Sequence, residues 1–277
     1  MIVDRIYQHY ERQREVEPPR FHLGASQLGA DCERYVWMSY RWFDSEEFEG
    51  RKLRLFDTGK REEFRILAEL EGIGVNLNFI DNNQELQHRV SAFGGHFAGS
   101  LDAIATNIDP ADPDKPYVLE FKTHNTKSFN ALKKEGVQQS KWQHYVQVQI
   151  YMGITSIHQA LYLAVCKDTD ELYEEIISFD KEVFEQLMQK ARRLIHSQTA
   201  PFKLNDSPQF YKCKWCPMSN VCHKGATPKK SCRSCVFATP HSSGQWHCSK
   251  KDVLLDNQQQ LTGCDDYTAI TLEEHND

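Results

Sequence analysis

Apolar residues recur at helical spacing over 53–71, LRLFDTGKREEFRILAELE, where Leu55, Phe56, Phe64, Leu67 and Leu70 would share one face. Gly59, near the middle of that stretch, is a weak point that close packing or a ligand would explain. The opening stretch 1–20 predicts a short helix stopped by Pro18-Pro19. Turns at Gly24, Ser26 and Gly29 follow, and then an aromatic-rich helix over CERYVWMSYRW. The period changes at 85–106, where Val90, Phe97, Leu101 and Ile104 sit in strand-like runs broken at Gly94-Gly95. Beyond an Asp- and Pro-rich loop at 109–116, YVLEFKT (117–123) predicts a strand, and 127–135 and 140–154 predict helices. ALYLAVC and LYEEIISF around KDTDE predict a β-hairpin, and 180–198 predicts a helix stopped by Pro201. From about residue 205 the periodicity fades and Cys, Lys, Ser and Pro accumulate. This divides the chain into a main domain, 1–225, and a small C-terminal module, 226–277.

Composition narrows the class. The 277 residues are 40% hydrophobic and 26% charged, which excludes a wholly disordered chain. With 39 acidic against 33 basic residues the net charge is −6, so nucleic acid could be held only by local basic patches and not by bulk charge. The charged opening MIVDRIYQHYERQREVEPPR lacks an apolar signal region, and no run approaches a membrane span. A cytoplasmic protein without membrane association is therefore expected. In that reducing compartment clustered cysteines suggest metal binding more than disulfides.

The most informative segments are Gly99-Ser-Leu-Asp102 and Leu119-Glu120-Phe121-Lys122. Alternate strand residues share a face, so Glu120 and Lys122 point one way and Phe121 points into the core. Asp102 falls on the preceding strand or its end. A neighbouring Asp and Glu offer a hard oxygen site suited to Mg²⁺ or Mn²⁺. A lysine two residues beyond the Glu could orient a water or stabilise charge on a phosphate.

Asp102, seventeen intervening residues and then Glu120-Phe121-Lys122 resembles the PD-(D/E)XK nuclease superfamily, although Leu101 stands where the literal motif has Pro-Asp. Gly59 followed four positions later by Glu63, with Glu62 as alternate, resembles the RecB-like branch. So does Gln147-Val-Gln-Ile-Tyr151, whose i, i+4 spacing puts Gln147 and Tyr151 on one helix face. The order of these pieces also matches the branch. The resemblance implies a restriction-endonuclease-like α/β fold with a mixed central sheet flanked by helices. It implies a Mg²⁺- or Mn²⁺-dependent deoxyribonuclease that hydrolyses phosphodiester bonds, exonucleolytically or on single-stranded or end-containing DNA. In that reading Glu63, Asp102, Glu120 and the Phe121 carbonyl hold the metal and Lys122 positions the water. Gln147 and Tyr151 hold substrate or contact the lysine.

The nine cysteines are uneven along the chain: only Cys32 and Cys166 precede residue 213. Cys213-x2-Cys216-x5-Cys222 is a metal-ligand spacing that needs a fourth ligand, with Cys32 the candidate and His223 an alternative. One early and three late cysteines around the core also resemble RecB-like nucleases that carry a [4Fe–4S] cluster; a structural Zn²⁺ on the same four is the competing expectation. Cys232-x2-Cys235-x12-Cys248-x15-Cys264 suits a small zinc-ribbon-like module, with His241 and His247 as spare ligands and Phe237 and Trp246 as its own mini-core. Cys166 reads as a buried thiol. His88, His96, His124 and His144 read as scattered polar or turn residues, with a place near the metal as the alternative for His124, two beyond Lys122.

Basic residues cluster at 51–65, 122–141 and 203–233, the patches expected to contact DNA. The whole arrangement resembles nucleases of bacteriophages and prophages, which implies DNA processing or recombination and, as a partner, a recombination or single-strand-binding protein. The rivals are a non-catalytic DNA-binding or assembly module, or an adaptor whose zinc-binding tail is its working end.

Overall fold

In the computed structural model, which describes residues 1–15, 18–78 and 88–272, the chain begins with helix α1 (Ile2–Glu15). A two-residue strand β1 (Leu23–Gly24) and α2 (Glu33–Tyr40) precede the long α3 (Gly50–Gly72). Strands β2 (Asn76–Asn78), β3 (His88–Ala92), β4 (Phe97–Leu101), β5 (Ala103–Thr106) and β6 (Tyr117–His124) follow. Helices α4 (Thr126–Ser140) and α5 (Trp142–Thr155) lead to the hairpin β7 (Gln159–Cys166) and β8 (Glu171–Ser178), then α6 (Lys181–His196). The remainder is short pieces: α7 (Tyr211–Lys214), α8 (Ser219–Lys224), β9 (Ala238–Pro240), β10 (Trp246–Cys248), β11 (Val253–Leu255) and α9 (Asn257–Thr262). Part of the strand-like region expected at 85–106, residues 85–87, lies outside the described residues. Among those described, no helix is long and apolar enough to cross a membrane.

These elements gather into two units. The first comprises Met1–Pro18, Phe48–Val90 and Gly99–Leu187; the second comprises Pro19–Glu47, Ser91–Ala98 and Met188–Asp277.

The first unit is built on a five-stranded sheet of order β2-β5-β6-β7-β8, in which only β6 and β7 run parallel. This is the mixed sheet with flanking helices that the α/β reading expects. Strand β7 reads ALYLAVC and is buried almost throughout, as a strand covered on both faces must be. Ile66, Leu67 and Leu70 of α3 pack with Ala103, Ala105, Leu119, Phe121 and Leu161. The apolar face expected of 53–71 needs correction. Leu67 and Leu70 are buried, but Leu55, Phe56 and Phe64 are exposed. Only the C-terminal half of α3 lies on the sheet. The N-terminal half meets α1, where a Cβ on Gly50 would lie 2.3 Å from the Tyr7 carbonyl oxygen. Glycine is what lets those two helices approach.

In the second unit, β1 pairs in parallel with the start of β4, Leu23 beside Phe97 and Gly24 beside Ala98. The cysteine-rich tail has order that periodicity did not show: β9, β10 and β11 form a small antiparallel sheet, and α9 is capped by Asp256, whose carboxylate accepts from the Gln259 amide. Trp246 is fully buried, but not in a mini-core of its own. Its ring packs on Tyr40, at 5.4 Å between centroids, and on His96. Arg233, also buried, stacks 4.0 Å above Trp42 and donates to the Phe21 and Tyr40 carbonyls and to Gln260.

Candidate active site

Antiparallel pairing of β5 with β6 sets Ala103 against Leu119, so Asp102, one residue earlier, comes opposite Glu120. Asp102 occupies the bend between β4 and β5, and its Oδ2 accepts a 2.7 Å hydrogen bond from the Phe121 amide. The seventeen residues between Asp102 and Glu120 are thus the turn that brings two carboxyls together. As the period-two argument requires, Phe121 is buried in the hydrophobic core, and Glu120 and Lys122 share the other face.

Glu120 is fully buried. Its Oε1 accepts from the Lys122 ammonium, and its Oε2 is buried without a hydrogen-bond partner. Burial, with the Asp102 and Glu63 charges beside it and against the pull of Lys122, pushes its carboxyl up to about 8. Burial also raises Asp102, with Lys122 and the Phe121 amide opposing. Burial alone would lower the Lys122 ammonium, but the carboxylates of Glu120 and Asp102 outweigh it and the net shift is upward. Lys122 also donates to the Phe121 carbonyl at 3.2 Å.

Glu63 reaches the same place from α3. Gly59, Glu63 and Leu67 follow at intervals of four, so one face carries Leu67 into the core and Glu63 to the cleft above it. Burial, then the Asp102 charge, raises Glu63 to about 7, with Lys122 and Lys60 opposing. The cleft has a volume of about 350 Å³ and is lined by Gly59, Glu63, Lys122, His124, Lys141 and His144 among others. Close packing does not explain Gly59, since a Cβ there would meet only Thr123 Oγ1, at 3.9 Å. What Gly59 faces is the cleft.

Gln147 and Tyr151 do share a face of α5, and the Gln147 amide donates to the Tyr151 hydroxyl at 2.9 Å. That hydroxyl donates on to the Ser100 carbonyl at 2.8 Å, two residues before Asp102. Tyr151 is only 2% exposed, so its described bond braces the bend that carries Asp102.

His144 and Tyr162 escaped the sequence reading, which offered only His124 as a residue that could lie near the metal. His124 and His144 are not scattered: both bond the Tyr162 hydroxyl, at 3.2 and 2.8 Å, and both line the cleft. Burial, with Lys141 and Lys122 nearby, drops His124 to about 4; burial, with Lys122, His124 and Lys141, drops His144 to about 3. Tyr162 is the β7 partner of Glu120, a relation visible only once β6 and β7 are known to pair in parallel.

Burial raises the Cys216 thiol, and neighbouring Cys32, Cys222 and Cys213 raise it further. Cys32 caps the start of α2, its Sγ accepting from the Tyr35 amide at 3.4 Å. Burial raises Cys222, with the Arg34 guanidinium, which donates to the Pro201 carbonyl at 2.6 Å, opposing. Cys232, Cys235, Cys248 and Cys264 line a cavity of about 10 Å³, and burial with the other three thiols raises Cys232 to about 11. Cys166 ends β7 and is buried. Among the described residues no group of three or more His, Cys, Asp or Glu is spaced as a ready-made metal centre. The carboxylates nonetheless suit a hard divalent cation, since Glu120 Oε2 is a buried anionic donor without a partner, beside Asp102 and Glu63.

No curated protein matches the chain. Among solved structures it resembles SSO0001 at 18% identity and a TM-score of 0.46, covering 82% of this chain and 98% of that one. It also resembles an alkaline exonuclease from Laribacter hongkongensis at 13% identity and a TM-score of 0.45, covering 68% and 90%. A phage-related exonuclease from Haemophilus somnus 129PT matches at 15% identity and a TM-score of 0.44, covering 62% and 91%. The family model of the PD-(D/E)XK nuclease superfamily matches residues 3–223, and the chain belongs to that superfamily.

Proposed function

We propose that this protein is a Mg²⁺- or Mn²⁺-dependent deoxyribonuclease that hydrolyses phosphodiester bonds. The observation that supports this is the convergence of Glu63, Asp102, Glu120 and Lys122 at one cleft, with a buried carboxylate oxygen of Glu120 left without a partner. Members of the superfamily generally use divalent metals such as Mg²⁺. Here Glu63, Asp102, Glu120 and the Phe121 carbonyl would hold the ion. When bound, it supplies charge neutralisation at the scissile phosphate and a lower pKa for the attacking water. The Lys122 ammonium, already aimed at Glu120 and the Phe121 carbonyl, orients that water and meets charge building on the phosphate oxygens. The water oxygen bonds to phosphorus, the bond to the leaving sugar oxygen breaks, and the leaving oxygen takes up a proton. Tyr151 and Gln147 act through the Ser100 bend that fixes Asp102.

Finer parts belong to the same proposal. Action is exonucleolytic, on DNA ends or single strands, in phage DNA processing or recombination, with a recombination or single-strand-binding protein as partner in the cytoplasm. Cys32, Cys213, Cys216 and Cys222 hold a [4Fe–4S] cluster, or Zn²⁺ as the alternative. Cys232, Cys235, Cys248 and Cys264 hold Zn²⁺. The spacing of the cysteines supports the first assignment, and a small cavity lined by all four thiols supports the second.

The test is cleavage of end-labelled single- and double-stranded DNA, and of closed circles, by anaerobically purified protein with Mg²⁺ or Mn²⁺. We expect linear DNA to be degraded, circles spared, and Lys122→Ala to lose about 10²- to 10⁴-fold in rate. No cleavage by the wild type, or equal cleavage by Lys122→Ala, sinks the nuclease reading; cut circles sink the exonuclease refinement. A broad visible absorbance band with iron present supports the cluster, and zinc alone rejects it.

A further inference from the structure

Outside the cleft, the second unit exposes aromatic rings that a water-soluble surface would ordinarily cover. Trp215 is 80% exposed, Phe202 66% and Tyr211 65%. A single exposed ring needs no explanation, but three within fourteen residues of chain do. Tyr211 and Trp215 lie one helical turn apart at α7, and Phe210 supports Tyr211 from a centroid distance of 4.7 Å. Phe202 lines a cavity of about 530 Å³ with Asp31, Arg193, Lys203 and Leu204. Asp31 in turn binds Lys212, whose ammonium lies 5.5 Å from the Tyr211 ring. The rings therefore border one stretch of surface.

Basic residues outnumber acidic ones in this segment of the chain. Residues 201–230 hold six lysines (203, 212, 214, 224, 229 and 230) and one acid, Asp206, in a chain whose net charge is −6. The Lys212 charge is met by Asp31 and that of Arg193 by Glu33. Among the described residues Lys214, Lys224, Lys229 and Lys230 pair with no carboxylate, and all four are exposed. Lys214 lies 5.2 Å from the Trp215 ring and occupies one face of it. Exposed rings with flanking ammonium groups suit a ligand that alternates flat apolar faces with negative charge. Single-stranded nucleic acid is that ligand: its bases stack on aromatic faces and its phosphates meet lysines, without sequence readout. A duplex buries its base faces and would engage only the lysines.

We propose that Phe202, Tyr211 and Trp215, with Lys203 and Lys214 beside them, form a base-stacking surface for single-stranded DNA, separate from the catalytic residues. The choice of DNA as the polyanion rests on the nuclease reading; the stacking itself does not. The surface gives the enzyme a second hold on a strand, independent of hydrolysis.

The experiment measures anisotropy of fluorescein-labelled (dT)20 with the full chain in buffer free of Mg²⁺ and Mn²⁺ and without chelator, so that binding is read without cleavage. A 20-mer abasic strand of equal charge, a duplex and a polyglutamate peptide are the other probes. Wild type should prefer (dT)20 to the abasic strand, and Trp215→Ala should bind (dT)20 about tenfold more weakly. Binding of the abasic strand should not change, and Trp215→Phe should keep most of the affinity. Because Trp215 lies between Cys213 and Cys216, the double variant Phe202→Ala Tyr211→Ala, checked for an unchanged urea midpoint, tests the same surface without separating that pair. Equal loss toward the abasic strand, tighter binding of duplex or polyglutamate, or alanine variants within twofold of wild type would each overturn the proposal. Binding to (dT)20 through these rings in a protein that cleaves nothing would leave the proposal standing and the nuclease reading fallen.

Discussion

At the scale of single residues, the cleft holds two kinds of strained ionisation. Its carboxyls are pushed toward their neutral forms and its histidines away from charge, both mainly by burial. His144 carries a testable consequence. Its imidazole titrates at about 3 in the fold, well below its ordinary value near 6.5 when unfolded. Below pH 6.5 the unfolded chain therefore binds a proton that the native state refuses, and stability falls as pH drops from about 6.5 toward 3. A His144→Asn variant loses the bond to Tyr162 at every pH but escapes this penalty. Its deficit against wild type, read from urea midpoints, should be largest above pH 7 and should shrink steadily between pH 6 and 4. A deficit that is constant or grows in that window contradicts the reading. The sequence revealed Asp102, Glu120 and Lys122 because a motif and a strand period both point to them. His144 and Tyr162 carry no such pattern, and His124 has only its place two residues beyond Lys122. They meet only through strand pairing and the packing of α5, so the chain order hides them.

At the scale of elements, the site depends on how α5 is tied to the β4–β5 bend. The Gln147 amide, the Tyr151 hydroxyl and the Ser100 carbonyl form a relay two residues from Asp102. Tyr151→Phe keeps the ring and removes the hydroxyl, leaving a carbonyl beside a buried ring without that donor. We expect a loss of about 1 to 3 kcal/mol in stability. We also expect a fall in cleavage rate at saturating DNA exceeding any change in KM, because the residue acts through the position of Asp102. Gln147→Ala should cost less, since Gln147 is partly exposed and water can replace its amide. Equal activity of Tyr151→Phe and wild type would remove Tyr151 from the site. The i, i+4 pair itself was legible from spacing, but its target was not, because the acceptor lies on another element. The same limit accounts for α3. Helical periodicity found the helix but assigned Leu55, Phe56 and Phe64 to a core that touches only its second half.

At the scale of the whole molecule, the cysteines and the tail decide how the chain is built. Spacing grouped Cys213, Cys216 and Cys222, with Cys32 or His223 as candidate fourth ligand, and all of these lie in the second unit. What spacing could not show is that the residues after 225 complete a hydrophobic core begun at residues 19–47. Trp246 is fully buried on Tyr40 and His96, and Arg233 lies over Trp42 while donating to the Phe21 and Tyr40 carbonyls. Burial lowers the Arg233 guanidinium to about 9, with Tyr40 raising it and Arg41 lowering it further. It remains charged at neutral pH, held by ring faces and carbonyls. Loss of Trp246 alone, as Trp246→Ala, should cost about 3 to 5 kcal/mol. Ending the chain at residue 225 removes this tryptophan, Arg233 and the second cysteine set together. That loss approaches the whole ~5 to 15 kcal/mol stability of a typical domain. The shortened chain should therefore lose the near-ultraviolet circular dichroism of its packed aromatics and the cooperative urea transition of the second unit. If residues 1–225 instead kept the wild-type midpoint, the tail would be an independent module, and the burial of Trp246 and Arg233 would contribute nothing that the rest of the unit needs.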